Sequence, residues 1–280
     1  MELTRAGRQA ARAASLVLLF VLLALMLFPL LIVALNAFKT ASDYATNGPL
    51  AFPGKLVLTG VVDFWNRVHF TNKLLNSAFI ALSVAVLGVV LSLFNAFALG
   101  IGRLRGRVVI VIAFIMANTL PQEGLAYPLY YMAKAAGLYN TQVSVILIFM
   151  VIQGAFGTYM LTAVFSAFPR ELVEAALVDG SGKFRLLFQV VAPVSMPTLR
   201  VLFTFFFIWT WNEFFLPLIM LISDRRQTVP IAISTLQGQH NMDATTASAS
   251  ALLGVLPCLL FFIIFQRTLT RGVTAGSIIR

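Results

Sequence analysis

The chain holds only ten acidic residues in 280, and where they fall decides what chemistry is open to it. One short segment concentrates them: Pro169-Arg170-Glu171-Leu172-Val173-Glu174-Ala175-Ala176-Leu177-Val178-Asp179-Gly180. Glu174 offers a carboxylate to a basic group, Ala175 and Ala176 let a second surface approach closely, and Gly180 permits the chain to reverse. That is chemistry for docking, not for bond cleavage. Two more carboxylates, Glu123 and Glu213, lie inside apolar runs, where an ionised group costs about 2.5–3.5 kcal/mol at mid-bilayer on insertion scales. They are therefore expected to face a bundle interior or a water-filled path. No Ser/His/Asp constellation or H-E-x-x-H stretch occurs, and His69 and His240 stand far from any ligand cluster. Gly182-Lys183 is followed by Phe184, and position 177 is Leu, so the chain carries no G-x-x-x-x-G-K-[ST] phosphate loop.

The elements that position these residues are read from hydropathy. With 60% hydrophobic and 11% charged residues and a mean hydropathy of +0.92, a water-soluble globule is excluded. The short alternating segments of a barrel are missing, which leaves an all-α integral membrane protein. A span needs about 20 apolar residues, and six candidates appear: Ala13–Phe38, Leu74–Gly102, Val108–Met132, which Pro121 and Pro128 are expected to break, Val143–Phe165, Val201–Ser223 and Ala244–Gln266. The first exceeds a signal-peptide core and lacks a convincing cleavage site, so it reads as an uncleaved span. One cysteine, Cys258, rules out a disulfide framework within the chain.

Net charge is +10, and the basic residues sit near span ends, where anionic headgroups suffice as partners, so a nucleic-acid reading is poor. Thirteen of the 20 Lys and Arg residues fall on segments that are cytoplasmic if the N-terminus is inside, and seven fall on the opposite side. The Arg103-Leu104-Arg105-Gly106-Arg107 cluster is the clearest part of this bias, which sets both termini in the cytoplasm. The organisation expected is then a cytoplasmic N-terminus (1–12), a first transmembrane helix (13–38), an external loop (39–73), a five-helix core (74–267) and a cytoplasmic tail (268–280). Within the core, 169–193 forms a cytoplasmic loop. In it a short helix opened by Pro169 ends at Gly180 and Gly182, and a second carries Phe184, Leu187, Phe188 and Val191 on one face until Pro193 and Pro197 end it. Asp224 to Asp243 is expected to be an outer polar loop.

Glu174-Ala175-Ala176, Gly180 after three residues, and Val190-Val191-Ala192-Pro193 after nine more resemble the EAA loop of bacterial ABC importer permeases, E-A-A-x-x-x-G, nine residues, I-x-L-P. Val190 and Ala192 stand where Ile and Leu are usual. The resemblance continues in Trp211-Asn212-Glu213-Phe214-Phe215 with Pro217-Leu218, in Leu120-Pro121 with Ala126-Tyr127-Pro128, and in Arg271-Gly272-Val273-Thr274-Ala275-Gly276, which look like the smaller six-span partner of the maltose-type carbohydrate permeases. The tail ends Ser277-Ile278-Ile279-Arg280 and not in the commoner Lys-Gly.

This resemblance implies a type I ABC importer permease fold in a bacterial or archaeal cytoplasmic membrane, moving sugar by alternating access. The partners implied are a second permease, an ATPase dimer and an extracytoplasmic sugar-binding protein. ATP and magnesium would be held by the ATPase, with no cofactor on this chain and no catalytic residue in it. Glu174, Ala175, Ala176, Asp179, Gly180 and Pro193 are implied to contact the ATPase, and Gln237, Gly238 and Gln239 to reach the binding protein. Glu123, Trp211, Asn212 and Glu213 are candidates for the path, although Asn212 and Glu213 can equally fix helix packing. The rival class is a proton-coupled secondary carrier using Glu123 and Glu213; a membrane-embedded hydrolase lacks a nucleophile and base. The charge count makes a direct prediction: in a Cys258→Ala background, Ser181→Cys is labelled by an impermeant thiol reagent only from the cytoplasm and Gln237→Cys only from outside. Labelling of both from one face would break the six-span arrangement.

Overall fold

The computed structural model describes residues 5–102, 104–237 and 243–277. Helices account for all the regular structure among them, as hydrocarbon requires of a chain that satisfies its own backbone. In order these are α1 (Arg5–Ala37), α2 (Ala41–Asn47), α3 (Thr59–Arg67), α4 (Phe70–Ala96), α5 (Arg107–Thr119), α6 (Gln122–Ala135) and α7 (Gln142–Ser166). Then follow α8 (Arg170–Val178), α9 (Lys183–Leu186), α10 (Ala192–Val194), α11 (Met196–Asn212), α12 (Phe215–Met220), α13 (Val229–Gln237) and α14 (Ala244–Ser277). Among the described residues, four helices are long and apolar enough to cross a membrane, and up to six spans result when each of two bent pairs counts as one.

The chain divides into two units. The first comprises Met1–His69 and Ile233–Leu256. Its α1 is exposed along nearly all of its charge-free stretch, as a helix against lipid is. The expected external loop 39–73 is largely helical. Thr40 Oγ1 caps α2 by accepting the Asp43 N–H (3.0 Å), and Lys39 is buried with its ammonium donating to the Gly48 carbonyl (2.9 Å). Asp243 opens α14, its carboxylate accepting the N–H groups of Thr245 and Thr246 (2.9 and 2.7 Å). Burial pulls that carboxyl's pKa upward, but these bonds and those from the two threonine hydroxyls outweigh it and hold it below the usual value.

The second unit, Phe70–Ala232 with Pro257–Arg280, is built on α4, α7 and α11. Helices in lipid gain little from hydrophobic burial against one another, so close packing and interhelical hydrogen bonds must hold them. Small residues supply the approach. A Cβ on Gly157 of α7 would overlap Ser92 Oγ on α4 and lie 2.9 Å from Phe206 Cζ on α11; one on Gly88 would lie 3.0 Å from the same ring. Ser92 Oγ donates to the carbonyls of Gly88 (2.7 Å) and Gly154 (3.2 Å). Farther along, a π-helical turn, Phe97–Ile101, continues α4 and brings Gly100 against Phe165 near the end of α7. At the beginnings of α4 and α7, Gln142 donates to Asn76 Oδ1 (2.7 Å). These matched positions show that α4 and α7 run parallel.

The third span breaks at Pro121, as its sequence leads one to expect, into two helices bent by 99°, because Pro121 lacks a donor and holds Leu120 extended. Other expectations are corrected by the structure. Pro128 does not break that span again but is accommodated inside α6. The fifth span is interrupted, α11 ending at Asn212 and α12 beginning at Phe215, with Glu213 extended between them. Pro193 does not end the second loop helix: it lies within a helical run from Lys183 to Val194, just after the π-helical turn Leu187–Val191. The run stops at Ser195, where the chain bends by 80°, and Pro197 sits in the first turn of α11, where a missing N–H is no loss. The loop from Asp224 to Asp243 contains α13, whose Val229 and Ile231 are buried, and Lys73, expected on the external loop, is in the first turn of α4 at 1% exposure, paired with Asp224 (2.6 Å).

Gly157→Val therefore should destabilise the bundle by about 1–3 kcal/mol through overpacking, whereas Gly124→Ala, whose Cβ would meet only Pro121 Cγ at 3.6 Å, should be neutral. Thermal unfolding in detergent distinguishes them. Equal melting temperatures for the two variants would contradict the close approach.

Candidate functional site

The segment rich in carboxylates folds as a helix, a reversal and a second helix. Pro169 occupies the N-cap of α8, and Glu171 lies in the first turn, where the helix dipole favours an anion. At the other end Gly180 N–H donates to Leu177 O (3.0 Å) and Ser181 N–H to Ala176 O (2.9 Å), with Gly180 at φ +74°. This is a Schellman closure, and its left-handed position is what a side chain would strain. Ala176 is buried beneath the helix with Leu186, Leu187 and Val191 of the following turns. Glu174, Ala175 and Asp179 are exposed, next to Leu172, Leu177, Val178 (87% exposed) and Phe184. So much exposed apolar surface on a short helix is more than scattered surface residues present. Pro193 is exposed in α10, away from the Schellman turn in sequence.

A narrow cleft lined by Gly100, Ile101, Phe165, Arg170, Val173 and Glu174 sets α8 beside the joined ends of α4 and α7.

Within the second unit a cavity of about 310 Å³ opens between the α5–α6 elbow, α7 and α11. Its polar wall consists of Asn118, Gln122, Gln153, Asn212 and Glu213, and its aromatic wall includes Phe156 and Trp209. Gln153 Nε2 donates to Thr210 Oγ1 (2.8 Å), whereas its Oε1 is buried without a partner. Asn212 Nδ2 donates to the Ile208 carbonyl (2.8 Å). Glu213 Oε1 accepts the Phe215 N–H (3.2 Å) and so helps to open α12.

Of the four path candidates from the sequence, the structure brings Asn212 and Glu213 together in this wall. Trp211 is buried and stacks on Phe207 (5.8 Å between centroids), and it does not line the cavity. Glu123 is exposed in the first turn of α6, while its neighbour Gln122 lines the wall. Sequence reasoning missed Asn118, Gln122 and Gln153. Signals for them existed: Gln153 is the one glutamine in the run from Val143 to Phe165, and Asn118 and Gln122 bracket Leu120-Pro121. Gln237 ends α13; Gly238 and Gln239, the rest of the expected binding-protein contact, lie outside the described residues.

Residues 5–275 match the family described as binding-protein-dependent transport system inner membrane component. The chain belongs to that family. It is a membrane-embedded permease of the ABC importer type, and such a permease works with a separate ATPase and a substrate-binding protein. The permease is 29% identical over 252 residues to a sulfoquinovosyl glycerol transport system permease protein of Agrobacterium fabrum, covering 90% of this chain and 88% of the relative. It is 29% identical over 257 residues to a diacetylchitobiose uptake system permease protein of Streptomyces coelicolor, covering 90% and 92%. A trehalose transport system permease protein of Mycobacterium tuberculosis is 29% identical over 211 residues, covering 75% and 77%. A solved chain of a bacterial ABC transporter involved in import of the acidic polysaccharide alginate superimposes with a TM-score of 0.81 at 17% identity, covering 95% of this permease and 99% of that chain. The permease thus shares its fold. The proton-carrier alternative gives way to the family membership, and the structure keeps Glu123 out of the cavity that Glu213 lines.

Proposed function

We propose that this permease is the smaller six-span subunit of an ATP-driven carbohydrate importer in a bacterial or archaeal cytoplasmic membrane. Both of its termini face the cytoplasm, and it pairs with a second permease above two copies of the ATPase. Glu174, Ala175, Asp179 and Gly180 form the surface that docks in the ATPase, with Ala176 buried behind them and the exposed Pro193 adding to that surface. ATP and magnesium are held by that ATPase. Sugar delivered by the binding protein passes the wall formed by Asn212 and Glu213, and the segment from Gln237 through Gly238 and Gln239 approaches the binding protein on the outer side.

The observation that carries the reading is the mounting of α8. Its exposed apolar face closes in a Schellman turn, and its Arg170, Val173 and Glu174 share a narrow cleft with Gly100 and Phe165 at the ends of α4 and α7. Closure of an ATPase dimer pulling on α8 moves α4 and α7, and α7 carries Gln153 in the cavity wall. Alternating access is then a shift between two arrangements of the bundle, driven by differential binding of the ATPase to one of them. The carbohydrate class is supported by the cargo named for relatives such as the diacetylchitobiose and trehalose permeases.

Glu174→Ala removes a charged contact, and Gly180→Ala places a Cβ at φ +74°, a cost of about 1–2 kcal/mol. In proteoliposomes holding the whole transporter, both variants should assemble in the membrane yet lose most sugar-stimulated ATP hydrolysis and uptake. Full stimulation in both would refute the docking assignment.

A further inference from the structure

The intramembrane cavity is equipped on two sides for different parts of a ligand. Gln153 is 6% exposed and leaves one end of its amide buried and unpaired, an unfavourable state unless something enters to bond it. A hydroxyl group suits that position whichever way the amide is turned, because it both donates and accepts. The amides of Asn118, Gln122 and Asn212 border the same space. Trp209, on the same face of α11 as Asn212 and 43% exposed, keeps its ring held by Phe205 in a stacked contact (5.6 Å, 13°) and by the edge-on Phe156 (5.1 Å). A fixed aromatic ring among several hydrogen-bonding groups is the construction of a small-molecule site, and 310 Å³ lies at the lower end of the roughly 300–1,000 Å³ that such sites span.

Charge narrows the ligand further. Glu213 is the one ionisable residue of this wall, and neither Lys nor Arg lines it among the described residues. An anionic ligand entering a low-dielectric space beside a carboxylate, with no cation to pair with, is repelled and desolvated at once. We propose that this cavity is a direct binding subsite in this permease for an uncharged sugar ring. The apolar face of the ring lies on Trp209, and its hydroxyls bond Gln153 and Asn212. The transported carbohydrate is consequently neutral, with no uronate, sulfonate or phosphate group. This rests on the reading of the chain as part of a carbohydrate importer.

The test uses the assembled transporter in nanodiscs without its binding protein, titrated with neutral hexoses and hexose disaccharides and with the uronate counterpart of each. At least one neutral sugar should bind ten times or more tightly than its uronate form. Gln153→Leu should weaken that binding about tenfold, the loss of one good hydrogen bond, and Trp209→Ala should weaken it as well. Assembly with the partner subunits, read by co-purification, should be retained in both. Trp209 is well exposed, so its variant answers the question even where Gln153→Leu fails to fold. Uronates binding as tightly as neutral sugars, binding that survives both substitutions, or no sugar binding at all would each overturn the subsite. The parent reading is measured separately: if sugar-loaded binding protein stimulates the wild-type ATPase, carbohydrate import stands whatever the fate of the subsite, and if no sugar does so the import reading itself falls.

Discussion

Phe206 stands at the point where three helices come closest, fully buried in a notch that exists because positions 88 and 157 have no side chains. In water such a ring would be driven inward by its own area; between lipid-exposed helices that drive is nearly absent, and fit must replace it. The notch fixes the separation of α4, α7 and α11, and that separation lets the weaker bonds form. Ser92 reaches the Gly154 carbonyl (3.2 Å), Asn95 reaches Thr158 (3.3 Å), and Gln153 reaches Thr210 (2.8 Å). A wider spacing would break all three.

From this knot the structure is tied at both ends. At one end the ammonium of Lys73 is held by Asp224, and Asn76 donates to the carbonyls of Arg225 and Gln227 (2.8 and 2.9 Å). Asn140, at φ +58°, exchanges two bonds with Ser223, receiving the Ser223 N–H on Oδ1 (3.0 Å) and donating from Nδ2 to the hydroxyl (2.6 Å). A buried lysine costs much unless paired, so this end is secured by necessity as well as by contact. At the other end Gly100 lies against Phe165, and residues of α8 line a cleft beside the pair.

The helix and reversal at Arg170–Ser181 were legible in the sequence because what shapes them is local. Gly180 supplies its own left-handed turn, and the carbonyls that close it belong to Ala176 and Leu177. Span positions were legible wherever an apolar run was uninterrupted, as in α7, and Pro121 marked the break in the third span. The size of that 99° bend and the interruption at Glu213, which no proline marks, were not legible from periodicity. Lys73 and the segment around Val229 were assigned to loops because charge and polar neighbours dominate those stretches, and the partners that bury them, Asp224 and Ser77, are distant in sequence. The cavity was half legible for the same reason. Asn212 and Glu213 announce themselves in an apolar run, whereas Gln153 gains meaning only when α7 is set beside α11.

The two breaks and the cavity are one feature. Leu120 and Pro121 have ψ near 128° and Glu213 has ψ 129°, so the same extended conformation interrupts an apolar segment on each side of the same space. Backbone freed from a helix is tolerated at membrane depth only where protein or water satisfies it. Asn118 and Gln122 flank the first break, and Asn212 and Glu213 form the second. Glu213 returns part of what is lost by accepting the Phe215 N–H. A continuous helix at either place would remove the bend that opens the space and would turn these polar side chains toward hydrocarbon. The sequence therefore spends its prolines and its intramembrane carboxylate together: Pro121 imposes one interruption, Glu213 supports the other, and the polar wall is assembled from the residues that the interruptions expose.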